Sequence, residues 1–153
     1  MRRFRSLLPL FLSALVASCT DSAPFVPNIA TANFASSLNV DLANSVLTAT
    51  GLYYRDIVVG GGAQVPTTSG ASVTTTYAGY LRNGTQFDAG NLPAFTTGSG
   101  SVIAGFDEGV RGMRVGGQRQ LIIPPALGYG SRSQGSIPAN AILVFLITLT
   151  ATN

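Results

Sequence analysis

From Gly51 onward, the apolar positions follow strand-like and then helix-like periods. In "SVTTTYAGYL" (72–81), Val73, Thr75, Tyr77 and Leu81 share one face of an extended strand, because successive strand side chains point to opposite faces. Asn83-Gly84 follows as a hairpin turn, since both residue types accept positive φ, and "TQFDAG" (85–90) is expected to return as a second strand. "GLYYRDIVVGGG" (51–62) reads as an aromatic strand that ends in a glycine cluster. "QRQLIIP" (118–124) and the strongly apolar "AILVFLITLT" (141–150) read as two more strands, separated by the loop "PALGYGSRSQGSIPAN" (125–140). In "AGFDEGVRGMRVGG" (104–117) the period changes. Phe106, Val110 and Met113 recur at i, i+4 and i+7, which predicts a helix with one apolar face. Asp107 and Glu108 in its first turn and Arg111 and Arg114 towards its end suit the helix dipole, and Gly116-Gly117 is expected to close it. Hairpin-linked strands with one helix, and no alternating βαβ units, predict an α+β fold: an antiparallel sheet packed on a helix.

The first 50 residues carry a different texture. Arg2, Arg3 and Arg5 precede the apolar run "LLPLFLSALVA" (7–17), which is shorter than the roughly 20 residues a membrane-spanning helix needs. The run reads as the hydrophobic part of a secretory signal. It ends in "VASC", which resembles the lipobox of bacterial lipoproteins, so Cys19 is expected to be acylated as the mature N-terminus. Cys19 is the single cysteine, so no intramolecular disulfide forms. "TDSAPFVPN" (20–28) reads as an extended tether, with Pro24 and Pro27 opposing helix. "FASSLNVDLANSVLTAT" (34–50) is expected to include a short helix starting near Val40 or Asp41, with Leu42 and Val46 on one face. The expected organisation is a signal peptide over 1–18, a tether and extension over 19–50, and a folded domain over 51–153.

Charge changes the picture once the signal is set aside. Of the nine basic residues, three lie in the signal, leaving six arginines against six acidic residues. A neutral mature chain gives no electrostatic footprint for nucleic acid. Composition also removes most catalytic devices. The chain has no histidine and one cysteine, which excludes Ser-His-Asp and Cys-His arrangements and the usual zinc sites. A Walker A sequence is absent and there is no lysine to complete one. Asp88, Asp107 and Glu108 are the acidic residues nearest to a hydrolase pair, but Asp107 and Glu108 are adjacent at a helix start. What remains is aromatic and aliphatic chemistry. Tyr77, Phe87, Phe95, Phe106, Tyr129 and Phe145 recur near strand ends and in loops, where they can line an apolar pocket or simply fill the core.

Three ordered segments carry a resemblance. "VTTTYAGYLRNGTQFD", "VIAGFDEGVRGMRVGGQRQLIIPPALGYG" and "IPANAILVF" together resemble an FKBP-type peptidyl-prolyl cis-trans isomerase across about residues 51–150. The resemblance implies a curved antiparallel sheet wrapped around the helix and isomerisation of Xaa-Pro bonds without a cofactor. It implies a pocket of Tyr77, Phe87, Asp88, Val102, Ile103, Phe106, Tyr129, Ile137 and Phe145, with Phe106 as a floor where the family commonly has tryptophan. Implied partners are proline-containing polypeptides and macrolide inhibitors, with membrane contact through a lipid anchor and no nucleic acid, in the bacterial cell envelope. The sequence departs from the family at three places. "AGNLPAF" after Asp88 is short and lacks an arginine to pair with it, Pro93 stands where an aromatic wall residue is common, and the loop after Tyr129 is about one residue shorter, with Gln134 near its tip. Asp88 is expected as a pocket-wall acceptor for Tyr77 rather than a catalytic acid or base. A non-catalytic binding or chaperone module of the same fold is the alternative reading, and a lipid-anchored structural domain a third.

Overall fold

The structure is a computed structural model describing residues 26–153, so the signal segment and Cys19 lie outside the described residues. Six strands form one sheet: β1 (Val46–Leu47), β2 (Tyr53–Val58), β3 (Ser72–Leu81), β4 (Gln86–Thr96), β5 (Gln118–Ile123) and β6 (Leu143–Thr152). Their order is β1-β2-β5-β6-β3-β4, with antiparallel pairing throughout. The helix α1 (Ala104–Val110) packs across one face. This is the expected α+β arrangement, an antiparallel sheet packed on one helix.

The alternation in β3 is realised: Val73 and Thr75 are fully buried on the helix side. β6 lacks alternation because both faces of the central sheet are covered. Leu143, Phe145, Ile147 and Leu149 join the core under α1, while Val144 joins a second cluster on the opposite face with Ile122 and Ile142. A strand buried on both sides reads as a continuous apolar run.

That second cluster is completed by residues 29–38, part of the stretch expected as tether and extension over 19–50. Residues 29–31 and 36–38 form short 3-10 turns that bury Ile29 and Leu38 against the sheet. Backbone and side-chain bonds fasten the segment: Ala35 N–H donates to the Arg82 carbonyl at 2.8 Å, and Gln120 Nε2 donates to the Leu38 carbonyl at 2.6 Å. The helix expected near Val40 is absent from the structure. Asn39 takes a left-handed conformation (φ 46°) that stops the 3-10 turn, and Val46 enters β1 instead of sharing a helical face with Leu42. Asp41 closes the intervening turn by accepting from Asn44.

The helix is also shorter than the sequence period implies. It ends at Val110, where Arg111 turns extended and Gly112 takes φ 75°. Met113 stays in the core although it has left the helix. The arginines expected to complement the dipole do not do so. Arg111 folds back onto Asp107, and the helix carbonyls are met by Arg119 of β5, whose Nη1 reaches the Gly109 and Arg111 carbonyls at 2.9 and 3.0 Å. Arg119 also makes a two-pronged pair with Asp56 at 2.7 and 3.0 Å and stacks 4.4 Å from the Tyr54 ring centroid. Such a buried guanidinium stays because every face of it has a partner. Gly105 and Gly109 let α1 sit close to the sheet, since a Cβ on either would run into Ile123 or Leu121.

The β3–β4 hairpin differs from a two-residue turn. Gly84 has φ 88°, whereas Asn83 does not take a positive φ. Leu81 N–H bonds to the Thr85 carbonyl at 2.8 Å, so the loop holds three residues with glycine in the left-handed position. β4 continues to Thr96, and Pro93 sits at an irregularity in this edge strand, where a missing N–H does least harm.

Replacing Leu38 with Ala tests the role of the N-terminal segment. Loss of about 2–4 kcal/mol of unfolding free energy is expected, as for other buried leucines. A segment that merely trails from the domain would give a change within about 0.5 kcal/mol in urea unfolding.

Candidate active site

Regular strands send neighbouring side chains to opposite faces, yet Phe87 and Asp88 line the same cavity. The register explains this. Gly79 pairs with Asp88 and Tyr80 pairs with Gln86, which leaves Phe87 as the extra residue of a β-bulge. The bulge brings both side chains to the concave face. Gly79 supplies the room: a Cβ there would lie 2.6 Å from Phe87 Cζ and 2.8 Å from Phe145 Cε1. Its φ is not positive, so space rather than backbone freedom requires glycine here.

The cavity has a volume of about 390 Å³ and is lined by Tyr77, Phe87, Asp88, Leu92, Gly100, Ser101, Val102, Ile103, Phe106, Tyr129 and Phe145. Phe106 is buried at its base. It meets Phe145 edge-on at 5.5 Å and Tyr77 edge-on at 6.0 Å, while Phe95 backs it at 6.0 Å. Phe145 in turn meets Phe87 edge-on at 5.5 Å. Each ring therefore presents its edge to a neighbour's face, the favoured aromatic geometry, and locks the bowl's shape.

The polar groups are few and each has a defined state. The Tyr77 hydroxyl donates to Asp88 Oδ2 at 2.6 Å. That bond, reinforced by burial, pushes the Tyr77 phenol up to about 12, so it remains a neutral donor until strongly alkaline pH. Because the folded value is raised, any stability from this bond is present below the ordinary tyrosine value and fades as pH rises towards about 12. The Tyr129 hydroxyl and the Ile103 backbone N–H have no hydrogen-bond partner among the described residues. Both belong to residues that line the cavity.

The loop supplying Gly100 to Ile103 is held by Asp107, which is buried. Its Oδ2 accepts from Gly98 N–H at 2.6 Å and its Oδ1 from Arg111 at 2.7 Å. Asp107 is thus a brace for the pocket wall, beyond its expected complement to the helix dipole. Glu108 faces elsewhere and accepts from Thr50 at 2.8 Å. No group of three or more metal-ligating side chains occurs among the described residues.

Eight of the nine pocket residues expected from the sequence line this cavity; the exception is Ile137. Ile137 is buried and lines an adjoining depression of about 350 Å³ with Gln134, Gly135 and Ser136, which shares Phe87, Asp88 and Tyr129 with the main cavity. Leu92, Gly100 and Ser101 were not anticipated. Leu92 lines the wall beside Pro93, the position where the family commonly has an aromatic, and the irregularity of β4 after Leu92 leaves Pro93 facing solvent. The proline itself is the signal for that irregularity. A larger depression of about 740 Å³ lies between the N-terminal segment and residues 138–142, but its one aromatic side chain is Phe34.

Comparison with known proteins agrees with this geometry. FK506-binding protein 3 of Candida albicans is 46% identical over 104 residues, which cover 66% of this chain and 24% of that protein. FK506-binding protein 2 of Dictyostelium discoideum is 46% identical over 94 residues, covering 58% of this chain and 71% of that protein. The chain thus spans about a quarter of the length of the Candida relative. Among solved structures, AtFKBP13 superposes with a TM-score of 0.64 at 33% identity, over 71% of this chain and 98% of that one. FkpA from Escherichia coli gives 0.64 at 32% identity, over 72% and 52%. Residues 64–150 match the family described as FKBP-type peptidyl-prolyl cis-trans isomerase. That span takes in every residue lining the aromatic cavity, and the chain belongs to the FKBP-type peptidyl-prolyl cis-trans isomerase family.

Proposed function

We propose that residues 51–153 form a peptidyl-prolyl cis-trans isomerase domain acting on Xaa-Pro bonds of proteins folding in a bacterial cell envelope. The observation that carries the reading is the set of edge-packed rings of Tyr77, Phe87, Phe106 and Phe145 lining a cavity of about 390 Å³. A prolyl ring is apolar and fits such a bowl. The barrier to peptide rotation is about 18–20 kcal/mol and arises from lost amide resonance. A twisted amide is less polar than a planar one, so a dry apolar site favours it, and no acid, base or nucleophile is needed. The Ile103 N–H and Tyr129 hydroxyl bind carbonyls of the substrate chain and hold it while the bond turns. Val102 and Leu92 close the sides. Asp88 orients Tyr77 and takes no proton.

Full-length protein should accelerate cis-trans exchange of a short Xaa-Pro peptide, followed by exchange NMR. Tyr129→Phe is expected to lower kcat/KM about fivefold, the equivalent of one lost hydrogen bond. Phe145→Leu, which keeps most of the core volume, is expected to lower it at least as far. Unchanged kcat/KM in both folded variants would remove the pocket from the mechanism. Peptide binding without any acceleration would select the non-catalytic binding module instead.

The anchoring reading rests on the sequence around Cys19. We propose that Cys19 is acylated and holds the domain at the membrane, with proline-containing clients met close to its surface. Metabolic palmitate labelling should be seen in the wild-type protein and vanish in Cys19→Ser. Labelling that persists in Cys19→Ser would refute the anchor.

A further inference from the structure

Asp88 stands at the seam of two depressions. It lines the aromatic cavity and also the adjoining depression of about 350 Å³ formed with Phe87, Tyr129 and Gln134 to Ile137. Among the described residues, no other charged side chain lines either one. The Tyr77 hydroxyl donates to Oδ2 and orients the side chain, while Oδ1 has no hydrogen-bond partner among the described residues. The arginines of the described residues are engaged elsewhere or lie apart. Arg55, Arg111 and Arg119 pair with Asp41, Asp107 and Asp56. Arg114 donates to the Gly62 carbonyl, and Arg82 lines the depression beside the N-terminal segment. Arg132, in the loop after Tyr129, forms no ion pair among the described residues.

The Asp88 side chain therefore borders both the aromatic bowl and the depression that adjoins it. We propose that Asp88 is a specificity-determining residue that selects polypeptides carrying lysine or arginine next to the isomerised proline. The inference rests on reading the aromatic cavity as the prolyl site. The two depressions share three residues, so a residue adjacent to the bound proline, about 3.8 Å away along the chain, enters the second one. There a long basic side chain lays its methylene stem over Phe87 and the loop carrying Ile137, and brings its charge to the free Oδ1 of Asp88. The Phe87 and Tyr129 rings add cation–π attraction. An acidic residue at the same position meets like charge.

The test uses the full-length protein and two series of short proline peptides, varied to Lys, Arg, Gln or Glu immediately before the proline or immediately after it. Exchange NMR gives kcat/KM, and a chemical-shift titration gives Kd in parallel. At about 0.01 M salt, in one series at least, the basic peptides should exceed the glutamine peptide by about twofold to fivefold and the glutamate peptide by more, the range of an exposed ion pair. The preference should shrink towards unity at about 1 M salt, where charges are screened beyond a few ångströms. Asp88→Asn should collapse the Lys-to-Glu ratio towards one, whereas Asp88→Glu should keep part of it. A wild-type ratio near one in both series, or a ratio unaltered by Asp88→Asn, would overturn the proposal while leaving the isomerase reading intact. If no peptide is accelerated, the isomerase reading fails, and the Kd ratio between Lys and Glu peptides still decides the charge preference.

Discussion

The site depends on the bulge at Phe87 and on the bare backbone of Gly79 opposite it. Without the bulge, Phe87 and Asp88 fall on opposite faces of β4, and one of the two leaves the pocket. Without the missing Cβ at Gly79, the Phe87 and Phe145 rings cannot meet at 5.5 Å across β3. β3 lies between β4 and β6, so its pairing with both strands sets where Tyr77, Phe87, Asp88 and Phe145 converge. The hairpin at Gly84 then fixes that register from one end.

Around this centre the rest of the chain acts as support. Close packing of α1 through Gly105 and Gly109 places Phe106 at the base of the bowl. Asp107 ties Gly98 to Arg111 and steadies the wall that offers the Ile103 N–H. Arg119 ends the helix and links it to β2 through Asp56. On the far face, Ile29 and Leu38 cover Ile122 and Val144, so the central strands are shielded on both sides. A reaction that breaks no covalent bond asks for this kind of rigidity more than for reactive groups. The proposed activity therefore does not call for a histidine, and the chain has none.

Much of this was legible in the sequence where the period was clean. The alternation in 72–81 and the apolar spacing of Phe106, Val110 and Met113 give β3 and the helix face directly. Helix length was not legible, because Arg111 and Gly112 break the backbone while Met113 still packs inward as if the period continued. The N-terminal segment hid its role because 3-10 turns have no long period, and its buried side chains, Ile29 and Leu38, lie in separate turns with Phe34, Val40 and Leu42 packed around them. The bulges were hidden too. A single strand's pattern does not show which residue lacks a partner, so the joint presence of Phe87 and Asp88 followed from family resemblance and not from alternation. Leu92 as a wall residue was hidden for the same reason.

The most direct test is the cis-trans exchange rate of an Xaa-Pro peptide with Gly79→Ala protein, alongside far-UV circular dichroism and cooperative unfolding to show that the sheet persists. A methyl group at this position pushes Phe87 and Phe145 apart while leaving the ladder bonds of β3 in place. Loss of most of the acceleration in a cooperatively folded variant is the predicted result. Full wild-type acceleration by that variant would contradict the account, because the meeting of these two rings would then not be what shapes the site.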